Sequence, residues 1–211
     1  MNVKITINEA EFKKEIGAAL IPEVNKYFAQ RINASKKKLK EILAEGLWDG
    51  PEIDSLLGGE LQAELGVEDT QNKLNAIINQ WAAAIDINFS PAKYSSGQIR
   101  CNVIISAIRN DYDDVLGMDE ARYSTRNGST IEWLEWILLK GDSRIITKFD
   151  IGVDVTGISR TGLGKIMVEG KNKSWGIPPE FAGTATNNFI TRTLERLNTK
   201  IAVAIEGEFT K

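Results

Sequence analysis

Histidine is absent from this chain, cysteine occurs once, and no apolar run approaches the length needed to cross a bilayer. Without imidazole there is no Ser-His-Asp or Cys-His catalysis, no histidine general base and no metal site of the imidazole kind. The single thiol, Cys101, cannot form an intramolecular disulfide. Set in an apolar run, it reads as a small core residue of a protein made in a reducing compartment. The opening residues, MNVKITINEAEFKKEI, contain no apolar signal core, which places synthesis in the cytoplasm with no membrane partner expected. A net charge of -3 and a pI of about 5.3 give no general attraction to nucleic acid.

What is present is mostly helical periodicity. Asn8 offers an N-cap after a short alternating stretch at Val3, Ile5 and Ile7 that reads as a strand. Phe12, Ile16, Ala19 and Leu20 then mark an apolar helix face, which resumes after Pro22 through Val24, Tyr27, Phe28, Ile32, Leu39, Ile42 and Leu43. Pro22 is expected to kink this helix or to start a second one, because an interior proline loses one hydrogen bond and crowds the turn before it. Lys36, Lys37, Lys38 and Lys40 read as a solvated helix face. Residues 46–66 read as loop plus a short helix whose leucines need cover. Leu74, Ile77, Ile78, Trp81 and Ile85 share one face of a further helix.

Strand patterns follow. Ile99, Cys101, Val103, Ile105 and Ala107 alternate as one half-buried strand, and the acids at 110–119 form a solvated turn without the glycine spacing of a calcium loop. Ile131 to Gly141, capped by Ser129 or Thr130, reads as a helix carrying Trp133 and Trp136. Residues 144–155 and 166–168 read as a hairpin with a long tip. Gly-Leu-Gly-Lys at 162–165 is not a phosphate loop, since Ser159 stands where its first glycine belongs and Ile166 follows the lysine. Pro178 and Pro179 hold an extended segment before a helix that starts at Asn187 or Asn188 and buries Ile190, Leu194, Leu197, Ile201 and Ile205. These elements make one α+β domain over residues 1–211: long N-terminal helices, forming an arm over 1–66, and a C-terminal helix pack on a small, mostly antiparallel sheet with a long hairpin.

The segment Ile131 to Gly141, the string SRTGLGKIMVEG and the stretch WGIPPEFAGTATNNFITRTLE together resemble the neck and tail-completion proteins of tailed bacteriophages. In that group a Glu-containing segment ending in Gly precedes a loop and a Phe-Leu-x-x-Ala-Leu-like helix start, to which Phe189, Ile190, Arg192 and Leu194 correspond. The resemblance covers roughly the last 80 residues. This sequence departs from the pattern by a long insertion at residues 142–174.

The resemblance implies a structural subunit, not an enzyme, that forms a homo-oligomeric ring in the virion neck as connector, tail-completion or tail-terminator protein. Neighbouring neck, portal-side and tail-tube proteins would be its partners. DNA would pass through the lumen without specific binding, and no cofactor or metal is implied. Trp133, Trp136, Arg160, Trp175, Phe181, Phe189 and Arg192 are the expected subunit-interface residues, and the segments 110–119, 157–165 and 174–186 the expected projections that order on assembly. Two other readings stand beside it. One is a histidine-free hydrolase drawing on Glu132, Glu135 or Asp150, and the other a DNA-packaging accessory protein resting on the lysines at 36–40.

Overall fold

The computed structural model describes residues 8–106, 112–125, 128–152, 159, 162 and 164–210. The expected strand at Asn2 to Ile7, the interface candidate Arg160 and most of the hairpin tip at 157–165 lie outside them. The architecture is α+β: a long N-terminal helix, a C-terminal helix and small antiparallel sheets.

Helix α1 (Glu9–Trp48) begins where Asn8 accepts from the backbone N–H groups of Ala10 and Glu11. It is one helix of 40 residues with Pro22 inside it, neither broken nor restarted. Ala18, whose carbonyl loses its partner at Pro22, and Pro22 itself are both exposed, so water can satisfy the freed oxygen. Residues 46–66 are more helical than expected. After α1 come α2 (Pro51–Gly58), with proline at its first position, and α3 (Glu60–Leu65), closed by Gly66 in the left-handed region. Leu56, Leu61 and Leu65 are buried beneath them, and Leu57 is partly covered. Helix α4 (Thr70–Ala83) buries Leu74, Ile77, Ile78 and Trp81 as its periodicity predicts, with Ile85 buried just beyond its end.

The strand expected over 99–108 is divided. Ser96 and Gly97 both take positive φ, 51° and 79°, the signature of a two-residue hairpin turn that joins β2 (Lys93–Ser95) to β3 (Gln98–Arg100). Strand β4 (Val103–Ser106) pairs instead with β1 (Asp86–Phe89), and Cys101 sits half-buried in the break between β3 and β4. Burial holds its thiol pKa above the ordinary value. The acidic segment is no open turn either. Tyr112 and Val115 are buried, and α5 (Asp113–Leu116) turns over them.

Strands β5 (Tyr123–Ser124) and β6 (Thr130–Ile131) lead into α6 (Trp133–Leu139), which starts from Glu132 without a side-chain cap. Strands β7 (Ile146–Ile151) and β8 (Met167–Trp175) form the long hairpin, whose return strand is longer than expected. Lys148, at φ 66°, lies where the register shifts, so that the segment from Gly170 to Lys173 bulges opposite it. The C-terminal helix α7 (Phe189–Phe209) starts at Asn188, whose side chain accepts from Ile190 and Thr191 while Thr191 Oγ1 accepts from the Asn188 N–H.

Residues 176–188 do not project. They run between α6 and α7 with Ile177 and Asn188 buried and Gly183 pressed onto the α6 backbone. A Cβ on Gly141 would stand 2.2 Å from the Gly183 nitrogen, with the Ala182 backbone at 2.6 Å. Gly141→Ala is therefore expected to cost about 1–3 kcal/mol, because backbone and not a flexible side chain must give way. Gly58, with nothing within 4 Å, is the internal control. Gly58→Ala should be neutral or stabilise by up to about 1 kcal/mol. Urea unfolding of both variants measures the pair, and equal effects would contradict the close approach.

Candidate interaction surfaces

The aromatic and arginine side chains expected at a subunit interface are largely consumed inside the chain. Trp133 is fully buried and its indole N–H donates to the Glu120 carbonyl at 2.9 Å. Trp175 is buried with Trp136 edge-on at 6.0 Å between ring centroids, Phe189 is buried, and Phe181 packs against the core. Arg192 Nη2 reaches Glu52 Oε1 at 2.5 Å, and its Nη1 donates to the Ala182 carbonyl and Asn187 Oδ1. Trp133, Trp175 and Phe189 are thus core residues of the chain and not the surface anchors expected, whereas Trp136, Phe181 and Arg192 are half-buried. A short helix such as α6 gives few side chains to a core, so its two large indoles fill volume that a longer helix would fill with leucines.

Other candidates are also placed. Glu135 is bound to Lys140 at 2.6 Å and Asp150 lies 3.3 Å from Lys173, each an exposed or half-exposed pair. Lys36 pairs with Asp86 at 2.5 Å, and the hydrogen bond from Lys36 is the main cause holding that carboxyl below its usual range. Lys37 and Lys38 are exposed, as a solvated face predicts. No group of three or more Cys, Asp or Glu residues placed to hold a metal ion occurs among the described residues.

The largest departure from the sequence reading is on α1. Phe12, Ile16, Leu20, Val24, Phe28 and Ile32 recur every fourth residue; each step turns the row by about 40° around the helix, so Phe12, Ile16 and Leu20 share one side and Phe28 and Ile32 lie on another. Ile32 is buried at 7% exposure, Val24 and Phe28 are half-buried, and Leu20, Ile16 and Phe12 stand 48%, 44% and 52% exposed. The inner part is covered because α7 ends there. Phe209 meets Phe28 at 5.0 Å between rings, Tyr27 Oη donates to the Phe209 carbonyl, and Phe89 of β1 stacks on Phe28 at 5.9 Å. Beyond Tyr27 the helix continues for about 27 Å at 1.5 Å per residue, flanked on another side by the β2–β3 hairpin. Tyr94 packs so tightly on Gly17 that a Cβ there would lie 2.2 Å from its ring. An open groove of about 800 Å³ separates the first turn of α1 from the Ser95–Gly97 turn, with Lys13 and Lys14 on its wall. Periodicity marked Phe12, Ile16 and Leu20 as one apolar face, but periodicity cannot say whether the chain owns anything to cover it.

A second feature left no mark in the sequence. Glu64 on α3 has a side chain only 9% exposed, accepts from Trp175 Nε1 at 2.9 Å and lies 3.6 Å from Lys165 Nζ. The Lys165 N–H also donates to the Ala63 carbonyl at 2.6 Å, which docks the loop before β8 onto the end of α3. Burial raises the Glu64 pKa above 4.5, with Glu60 adding to the rise, and Trp175 and Lys165 oppose it without cancelling it.

Compared with known proteins, the sequence matches no family model, no curated protein and no solved structure.

The sign of the Glu64 effect is testable. A carboxyl whose folded pKa lies above its unfolded value favours the folded state most below the unfolded value, near 4.5, and that contribution is lost as pH rises through the folded value. Glu64→Gln keeps an acceptor for the Trp175 indole and removes the desolvated charge. Its stability relative to the parent chain should therefore rise between about pH 4.5 and 7. Chemical denaturation of the two chains across that range measures the difference. A gap that is constant, or that moves in favour of the parent chain, would show that Lys165 outweighs burial.

Proposed function

We propose that this chain is a structural subunit of a tailed-bacteriophage virion neck, repeated in a ring at the head–tail junction as a connector, tail-completion or tail-terminator protein. The observation that carries the reading is the bare apolar stripe at Phe12, Ile16 and Leu20, on a braced helix reaching past a subunit whose other large apolar residues are mostly buried. Such a stripe marks a surface built to be covered by protein, and a projecting arm is how one subunit reaches the next. The segment that carries the resemblance supports the reading in a different way. Residues 175–197 form the joint that locks α6, α7 and the end of α1 together, so the similar stretch is the part that fixes the subunit's shape.

In this reading the partners are copies of the chain and the neck, portal-side and tail-tube proteins above and below, with no cofactor and no catalytic step. A net negative subunit suits a lumen through which DNA slides without specific binding.

The test is an antibody against the chain, gold-labelled and read by negative-stain microscopy on purified virions of the source. Label at the head–tail junction is the expected result. Particles that keep their tails and carry no label would overturn the reading.

A further inference from the structure

We infer that the Glu64 carboxyl is a proton-operated latch on the segment that enters β8. Neutral, it holds that segment down on α3; ionised, it lets the segment lift while the rest of the chain stays folded. The inference concerns how the fold opens and does not depend on the neck reading.

The seat itself is made of backbone. The Lys165 N–H donates to the Ala63 carbonyl at 2.6 Å, and a Cβ on Gly164 would stand 3.1 Å from that same oxygen and 3.2 Å from the Gly66 Cα. Ala63 lies in the last turn of α3, where carbonyls have no partner within the helix, so the segment closes an end that water would otherwise serve. The contact continues into the hairpin, because the Ile166 carbonyl accepts from the Gly152 N–H.

One carboxylate meets both ends of β8. Trp175, the last residue of the strand, donates to Glu64 Oε2 at 2.9 Å, and Lys165, just before its start, brings Nζ to 3.6 Å from Oε1. A straight strand from Lys165 to Trp175 would set the two about 33 Å apart. The interval from Thr147 to Phe149 on β7 is matched by that from Glu169 to Ser174 on β8, so part of β8 is looped out and its ends are drawn together by about 10 Å. The bulge opposite Lys148 thus lets β8 arch over Glu64.

The two ends are held unequally. Trp175 is buried edge-on to Trp136 and belongs to the core. Lys165 is exposed, and its contact is longer than the about 2.7–2.9 Å of a charge-assisted hydrogen bond. The lysine end is therefore the one that opens.

Ionisation drives the opening because the closed seat keeps water from the carboxylate. Burial raises the Glu64 pKa above 4.5 and Glu60 on the same helix adds to the rise, while the Trp175 indole and the Lys165 ammonium oppose it. Lifting the segment returns the carboxylate to water. The open form then binds fewer protons than the closed one, so its population grows as pH climbs from about 4.5 through the raised value.

Hydrogen exchange of the full chain, read amide by amide by NMR from about pH 4.5 to 7, tests the latch. Each rate is divided by the intrinsic rate at that pH. The reference is the amide of Leu43, fully buried within α1, which exchanges when the whole chain unfolds. The Lys165 amide should be at least tenfold less protected than this reference, which marks a local opening, and should lose protection several-fold across the range. In Glu64→Gln its protection should be independent of pH.

The inference is overturned if the Lys165 protection equals that of Leu43, since the segment then opens only with the whole chain. It is equally overturned if that protection is flat or rises with pH, or if Glu64→Gln leaves the fall in place. The series on the parent chain decides the matter by itself should the variant fail to fold.

Discussion

Three polar side chains at four-residue spacing, Asn188 at the N-cap of α7 and Arg192 and Arg196 within it, hold this fold in register. Asn188, fully buried, caps its own helix and donates to the Tyr112 hydroxyl and the Thr184 carbonyl. Arg192 neutralises Glu52, which is 4% exposed on α2 and would otherwise be a buried charge without a counter-ion. Arg196 donates to the carbonyls of Gly46 and Asp49, oxygens at the end of α1 that have no partner inside the helix. Each bond satisfies a group that costs free energy when buried alone, so the seam penalises misplacement more than it rewards contact. Beside it, Leu197 sits on Gly46, where a Cβ would stand 2.3 Å from its methyl carbon. The polar row fixes where α7 starts and the glycine fixes how closely it lies.

Much of this was legible in local chemistry and much was not, for separable reasons. The helices at 70–83 and 189–209 were visible because one buried stripe at period 3.6 repeats over several turns, and Asn8 and Asn188 because an N-cap acts within its own turn. Pro22 misled, since proline's cost depends on whether the freed carbonyl reaches water, and that is a property of the tertiary surround. Residues 99–108 read as one strand because alternation survives a break of two residues. Ser96–Gly97, the turn that decides the pairing, carries a weaker signal than Asn-Gly would. The length of β8 was hidden because Glu169 to Ser174 is polar and contains Gly170 opposite a bulge, so no alternation remains to be read.

Among the expected surface anchors, Trp133, Trp175 and Phe189 lie on the core side of the boundary. Trp133 and Trp175 have the chemistry of interface anchors, and the same chemistry makes them good core: large apolar area, few rotors and one N–H to satisfy. The partners that decided the matter, the Glu120 carbonyl and Glu64, are 13 and 111 residues away along the chain. Glu64 itself stands in a segment where nothing distinguishes it from Glu60, and only the loop before β8, folding back over α3, removes it from water. Conversely, Phe12, Ile16 and Leu20 looked like core. Their exposure follows from where α7 and the β2–β3 hairpin lie, on other sides of the helix, and not from anything in their own stretch of sequence.

That last point bears on why the arm is a helix at all. Most of a helix's stability in a folded protein comes from tertiary packing, and one with bare Phe, Ile and Leu on a face gains nothing from burial there. Two features keep it ordered. Its C-terminal half is built into the core at Leu39, Ile42, Leu43 and Leu47, so nucleation is already complete when the chain passes Tyr27. On the flank, Tyr94 closes over Gly17, and Asn25 Oδ1 accepts from the Ala92 N–H, so the β2–β3 hairpin braces the arm without using its apolar stripe. The ordering of about 18 residues is thus complete before any partner arrives. A contact made by three side chains does not have to supply that entropy, and for so small a surface this decides whether it can hold anything.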